Sequence, residues 1–183
     1  MSKKKKLSPQ DLILYILQKI EPEKSDKIRL NKIAFFVEFG YYHKKQSELS
    51  RTKFAGIKLG PVINQYAEIL ESMEKSGKIK IDGYKVRPLI SSSVQLTNEV
   101  RNTIDPIIVK YSRLSNSELV ALSHLTDSYK ITTDNEKDMG NIIDKELASL
   151  ESFFDDELPS ETSKLDDRLL PKINKSDLVK YAT

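Results

Sequence analysis

The sequence predicts a mainly α protein: a compact helical domain with one small β-hairpin, followed by a C-terminal extended or partly helical tail. Three observations carry that prediction. Apolar residues recur at three- and four-residue spacing along most of the chain. Strict alternation of apolar and polar residues is confined to "KIKIDGYKV". From Asp155 onward the apolar pattern thins out between prolines. The expected organisation is a basic disordered arm at 1–7, a helical domain at 8–154 and a tail at 155–183.

Each element follows from local signals. Ser8, Pro9 and Asp11 make a helix start of the capping-box type ahead of "LILYIL". Lys3 to Lys6 precede it, but Gln18 and Lys19 break the apolar run and no small-x-small cleavage site follows, so a secretory signal is not expected. After Ser25, the run "DKIRLNKIAFFVEFGYYHKK" brings Ile28, Leu30, Ile33, Phe36, Val37 and Tyr41 onto one broad stripe, which predicts a long central helix from about Ser25 to Lys44. The stretch "FAGIKLGPVINQYAEIL", residues 54–70, begins like a strand, stops at Gly60-Pro61 and continues with helical spacing. Proline loses no N–H bond at the first helical position and its fixed φ suits a helix. Gly60-Pro61 therefore reads as a helix start, with Val62, Tyr66, Ile69, Leu70 and Met73 leading to a stop at Gly77.

Asp82-Gly83 then signals a hairpin turn. Thr97 caps a helix through Tyr111, which Pro106 should kink or divide. Ser115 with Glu118 is a capping box opening "ELVALSHLTDSY", and "MGNIIDKELASLESFF" supplies a last amphipathic stretch. Beyond it, Pro159, Ser160 and Pro171 separate two short apolar clusters, "RLLPKI" and "DLVKYA".

Composition narrows the function. The chain has 183 residues and no cysteine, which excludes disulfides and thiolate metal sites, and His43 and His124 are too far apart for a local ligand pair. Six glycines are scattered singly, so there is no phosphate-cradling loop. His124 follows Ser123, but sequence neighbours on a helix do not give nucleophile–base geometry. The expectation is a protein that is not an enzyme and needs no cofactor or metal. A charged fraction of 31%, a net charge of +3 and no apolar stretch of membrane-spanning length suggest a soluble, cytoplasmic protein.

The order of "IRLNKIAFFVEFGYYH", "FAGIKLGPVINQYAEIL", the hairpin and "SNSELVALSHLTDSY" resembles the Panacea domain, the SocA-like antitoxin domain of bacteria and their phages, over roughly residues 25–150. Leu30 to Phe36 matches the family's leucine-rich helix, Lys58 to Val62 its Gly-Pro helix start, and Ser123-His124 its later helix. The chain departs from the pattern at Leu59, where the family usually has an aromatic residue, and at Ile57, where many members have tryptophan. A tryptophan often follows the later helix in the family, and Tyr129 is the candidate substitute here. The resemblance implies an antitoxin that neutralises a cognate toxin by direct binding. The toxin would be encoded by the adjacent gene and could act on tRNA, nucleotides or translation. It implies no catalytic residue and is compatible with a homo- or hetero-oligomer.

Charge distribution suggests where binding would occur. Residues 1–126 carry a net charge of +9, residues 127–167 a net charge of −9, and residues 168–183 a net charge of +3. The acidic block is either a solvated counter-charge or an element that fits the basic active site of a toxin. On the second reading the toxin-binding candidates are Tyr129, Asp155, Asp156 and Glu157, with Leu169, Leu170, Ile173 and Tyr181 as apolar anchors. Leu30, Phe36, Gly60, Pro61 and His124 are then structural. The alternative is a winged-helix-like nucleic-acid-binding regulator, with Lys78, Lys80, Lys85 and Arg87 on the wing. Asn64 and Gln65 are the only base-reading residue types on the Pro61 helix, which makes nucleic acid the secondary expectation.

Overall fold

The computed structural model describes residues 6–155. The expectations for residues 1–5 and for 156–183, including Asp156, Glu157, Leu169, Leu170, Ile173 and Tyr181, lie outside the described residues. The fold is mainly α, but among the described residues it holds two antiparallel strand pairs where the sequence predicts one.

Helix α1 (Pro9–Leu17) opens at the expected capping box: Ser8 Oγ accepts the Asp11 N–H at 3.1 Å, and the Asp11 carboxylate accepts the Ser8 N–H at 3.1 Å. Leu7, expected in the disordered arm, is buried instead. Its N–H donates to the Leu49 carbonyl at 3.1 Å and its carbonyl accepts the Arg51 N–H at 2.9 Å.

Helix α2 (Lys27–Lys45) is capped by Asp26, whose carboxylate accepts the Arg29 N–H at 2.9 Å. Every residue from Leu30 to Tyr41 is buried, because α1, α4 (Asn98–Ser112), α5 (Asn116–Leu125), a strand and a late 3-10 turn together surround the helix. From Leu30 to Tyr41 the expected single stripe is thus a helix covered on all sides, while Ile28 at its start stays half-buried. Phe36 is fully buried and stacks on Tyr111 with centroids 3.9 Å apart.

A helix covered in this way must satisfy its polar side chains internally. Glu38, fully buried, accepts the Ser50 N–H at 3.0 Å, the Ser50 hydroxyl at 2.6 Å and the Lys145 ammonium at 2.8 Å. Burial pushes its carboxyl above the usual range, more than Lys145 lowers it. This pair fastens the chain after α6 (Asp127–Thr132) onto α2. The stretch expected there as an amphipathic helix forms only two 3-10 turns, Lys145–Leu150 and Ser152–Phe154. Pro106 neither divides α4 nor ends it. Ile104, Ile107, Ile108 and Tyr111 are buried along the same helix, and that burial outweighs one missing backbone bond.

Gly60-Pro61 does not start a helix. It opens strand β2 (Gly60–Ile63), which pairs with β1 (Phe54–Ile57) in the register Gly56↔Pro61 and Ile57↔Gly60, and α3 (Tyr66–Lys75) begins only after Gln65, whose φ of 57° is left-handed. Two facts explain the difference. Gly60 has φ +81°, which no helix uses. Pro61 stands opposite Gly56, whose N–H donates to the Asn141 carbonyl at 3.0 Å and whose carbonyl accepts the Gly140 N–H at 2.7 Å, so the absent proline N–H leaves nothing unpaired across the ladder. Strand β1 thus lies between β2 and the extended segment around Ile142. The second pair, β3 (Ile79–Asp82) and β4 (Lys85–Pro88), turns through Gly83 as expected, with φ +58°.

Candidate functional site

Two consecutive polar residues on α2, Asn31 and Lys32, reach the first hairpin from below. Asn31 Nδ2 donates to the Pro61 carbonyl at 3.1 Å, and its Oδ1 accepts the Ile63 N–H at 2.7 Å. The Lys32 ammonium donates to the same Pro61 carbonyl at 2.8 Å and also to the Leu59 carbonyl. Lys32 is only 2% exposed, and burial holds its pKa down at about 7.

The end of α5 and the start of α6 close the cluster from above. A Cβ on Gly60 would stand 2.3 Å from Ser123 Oγ, 2.9 Å from His124 Cδ2 and 2.9 Å from Lys32 Nζ, so only glycine fits between them. The His124 ring lies 4.8 Å from the Tyr129 ring, and its Nδ1 is 2.9 Å from a Glu136 carboxylate oxygen. Burial and the Lys32 charge lower the His124 pKa more than Glu136 raises it. The Tyr129 hydroxyl donates to the Ile57 carbonyl at 2.8 Å. A Cβ on Gly56 would meet the Thr133 methyl at 2.4 Å, so this strand too runs directly against α6.

On the other side of Lys32 opens a groove of about 630 Å³ between α2, β2, α3 and the tip of the second hairpin. Its walls include Ile28, Val62, Tyr66, Leu70, Ile81 and Tyr84, with Glu71 and Glu74 on the α3 side. The arrangement presents a preformed apolar surface. Among the described residues no group of three or more histidines or acids could hold a metal ion, and no helix is long and apolar enough to cross a membrane.

The structure brings together Gly60, Pro61, His124 and Tyr129, which come from distant parts of the sequence. It places Leu30 and Phe36 in the core and not at this cluster. Tyr129 is 1% exposed, which makes it a support for β1 and leaves little of its ring for a partner to touch. Asp155 is remote from the cluster, at the end of α2, where its carboxylate stands 2.7 Å from His43 Nε2. Of the wing cations, Lys78 bonds Gln10 at 2.6 Å, Lys80 lies 3.4 Å from Glu74, and Lys85 donates to the Glu23 carbonyl. Asn31 and Lys32 are the residues that sequence reasoning missed. Their signal is visible afterwards: two polar residues inside the apolar run "LNKIAFF" must face something other than water.

No curated protein and no solved structure matches the chain. The family model that does match is described as antitoxin SocA-like, Panacea domain, and it covers residues 30–130. That interval holds Asn31, Lys32, both hairpins, Ser123-His124 and Tyr129, and it exceeds half of the sequence, so the chain belongs to the SocA-like antitoxin family of the Panacea domain.

Proposed function

We propose that this protein neutralises a cognate toxin enzyme by binding it directly, the toxin being the product of the adjacent gene. The observation that carries this reading is the family match over residues 30–130. The charge distribution supports it: the block at 127–167 has a net charge of −9, and a toxin that handles tRNA or nucleotides presents a basic site to meet it. Asp155, Asp156 and Glu157 supply charge, and Leu169, Leu170, Ile173 and Tyr181 supply apolar anchors. Tyr129 contributes indirectly, by holding β1 in place. The proposed site of action is the cytoplasm, with no catalytic step performed by this chain.

Co-expression with the adjacent gene tests the reading. Growth arrest caused by the neighbour should be relieved by the full chain, and the two proteins should co-purify. A chain ending at Asp155 should stay folded yet bind the toxin more weakly and with less salt sensitivity, since it lacks Asp156, Glu157 and the acidic residues after them, whose attraction to a basic site salt would screen. Unrelieved arrest with no complex would refute direct neutralisation. Equal affinity and equal salt dependence of the two chains would remove the C-terminal residues from the interface.

A further inference from the structure

The groove beside Lys32 is apolar, and its walls differ in charge. On the α3 side Glu71 and Glu74 line the groove, and Glu68, three residues before Glu71, stands next to them outside the lining. Glu68 and Glu71 are exposed. Glu71 pairs with the exposed Lys75 at 2.6 Å, while Glu74 accepts the Ile81 N–H at 2.7 Å and lies 3.4 Å from Lys80. Lys27 and the buried Lys32 form the opposite, α2 side. The floor is rigid, because Asn31 and Lys32 together fix the carbonyls of Leu59 and Pro61 and the Ile63 N–H.

We propose that this groove docks an apolar segment of the toxin, with two or three aliphatic side chains in the groove and lysine or arginine beside them facing α3. The inference rests on the antitoxin reading and gives it a second, apolar contact on the folded domain. Three observations favour this occupant. All the lining residues except Lys27 and Ile28 fall inside the family-matched interval, whereas residues 156–183 fall outside it. The acids of α3 complement a basic flank. Since the floor is held in place before binding, little ordering is lost on docking.

The test uses the full chain and the purified toxin. Ala67 is exposed on α3 and lines the groove, so Ala67→Trp fills it without removing a core side chain. This variant should melt like the wild type and bind the toxin at least about tenfold more weakly. The double reversal Glu68→Lys with Glu71→Lys should also weaken binding and reduce its salt dependence, and it decides the question alone should Ala67→Trp fail to fold. Wild-type affinity in both folded variants overturns the groove contact while leaving direct neutralisation intact. If sedimentation shows Ala67→Trp breaking a dimer at unchanged toxin affinity, the groove belongs to a second copy. If hydrogen exchange changes only in 156–183, it belongs to the chain's own C-terminal segment. If the wild-type chain shows no toxin binding at all, the antitoxin reading falls, and this inference falls with it.

Discussion

The two hairpins share a plan and differ in what fixes them. Each joins two four-residue strands through a two-residue loop, and each has a glycine of positive φ at the turn, Gly60 at +81° and Gly83 at +58°. Around Gly60 a side chain would strike Ser123, His124 and Lys32, whereas around Gly83 nothing lies within 4 Å. The second hairpin is therefore set by its own turn residues, and the first by residues from α2, α5 and α6 packed around it. A glycine of the same backbone class thus does two jobs: at one turn it permits the dihedral, and at the other it also keeps three elements in contact.

The sharpest way to break that comparison is Gly60→Val. The substitution combines an unfavourable left-handed dihedral with a clash against backbone-anchored neighbours, and we expect a loss of about 3 kcal/mol or more, read by chemical denaturation. Toxin binding should fail only as far as folding does. A valine variant that melts like the wild type would show that α5 moves away easily and that the first hairpin is no more constrained than the second.

Next in size is the effect of the buried amine that fastens the first hairpin. The Lys32 pKa falls from 10.5 in the free side chain to about 7 in the fold. Between those values the unfolded chain holds more protons than the folded one, so stability gains from this group as pH rises from about 7 toward 10.5, and below about 7 it contributes no slope. His124, which faces Lys32, is lowered from 6.5 and titrates beneath that window, while Tyr129 is raised above it. Lys32→Met removes the slope. Melting temperatures of the two proteins, compared across pH 7 to 10, should diverge in favour of the wild type as pH increases. Parallel curves would mean that the amine keeps its charge in the fold.

The same contrast explains what the sequence made legible. Helix starts at Ser8 and Ser115 were readable because the capping partners Asp11 and Glu118 lie three residues away, and the second hairpin was readable from Asp82-Gly83 alone. Gly60-Pro61 reads as a helix start because its local chemistry suits a helix equally well. What decided against the helix was the pairing with Gly56 and the contacts from α2 and α5, which no short window contains. Lys32 gives no local signal for the same reason: its carbonyl partners belong to the hairpin loop and strand, not to its own helix. His124, expected to be structural, stands against Gly60 and beside the Tyr129 ring, contacts that its own helix does not announce. The groove was invisible because its walls come from α2, the first hairpin, α3 and the second hairpin, each with an ordinary apolar pattern.

The smallest expected effect is the most discriminating, because it isolates the dihedral from the packing. Gly83→Ala adds a methyl group to open space at φ +58°, so the only cost is the left-handed conformation of a residue with a Cβ, about 1 kcal/mol. Asn in the same place should cost less, since its side chain bonds locally and tolerates that region. At Gly60 the order should reverse: a Cβ alone already meets Ser123 and His124 below contact, so Asn, which needs more room than Ala, should be the worse of the two. Denaturation midpoints of the four variants form a two-by-two comparison. If Asn rescues at both positions, backbone strain governs both hairpins and the packing argument for Gly60 fails. If Asn rescues only at Gly83, the first hairpin is held by its neighbours and the second by its turn.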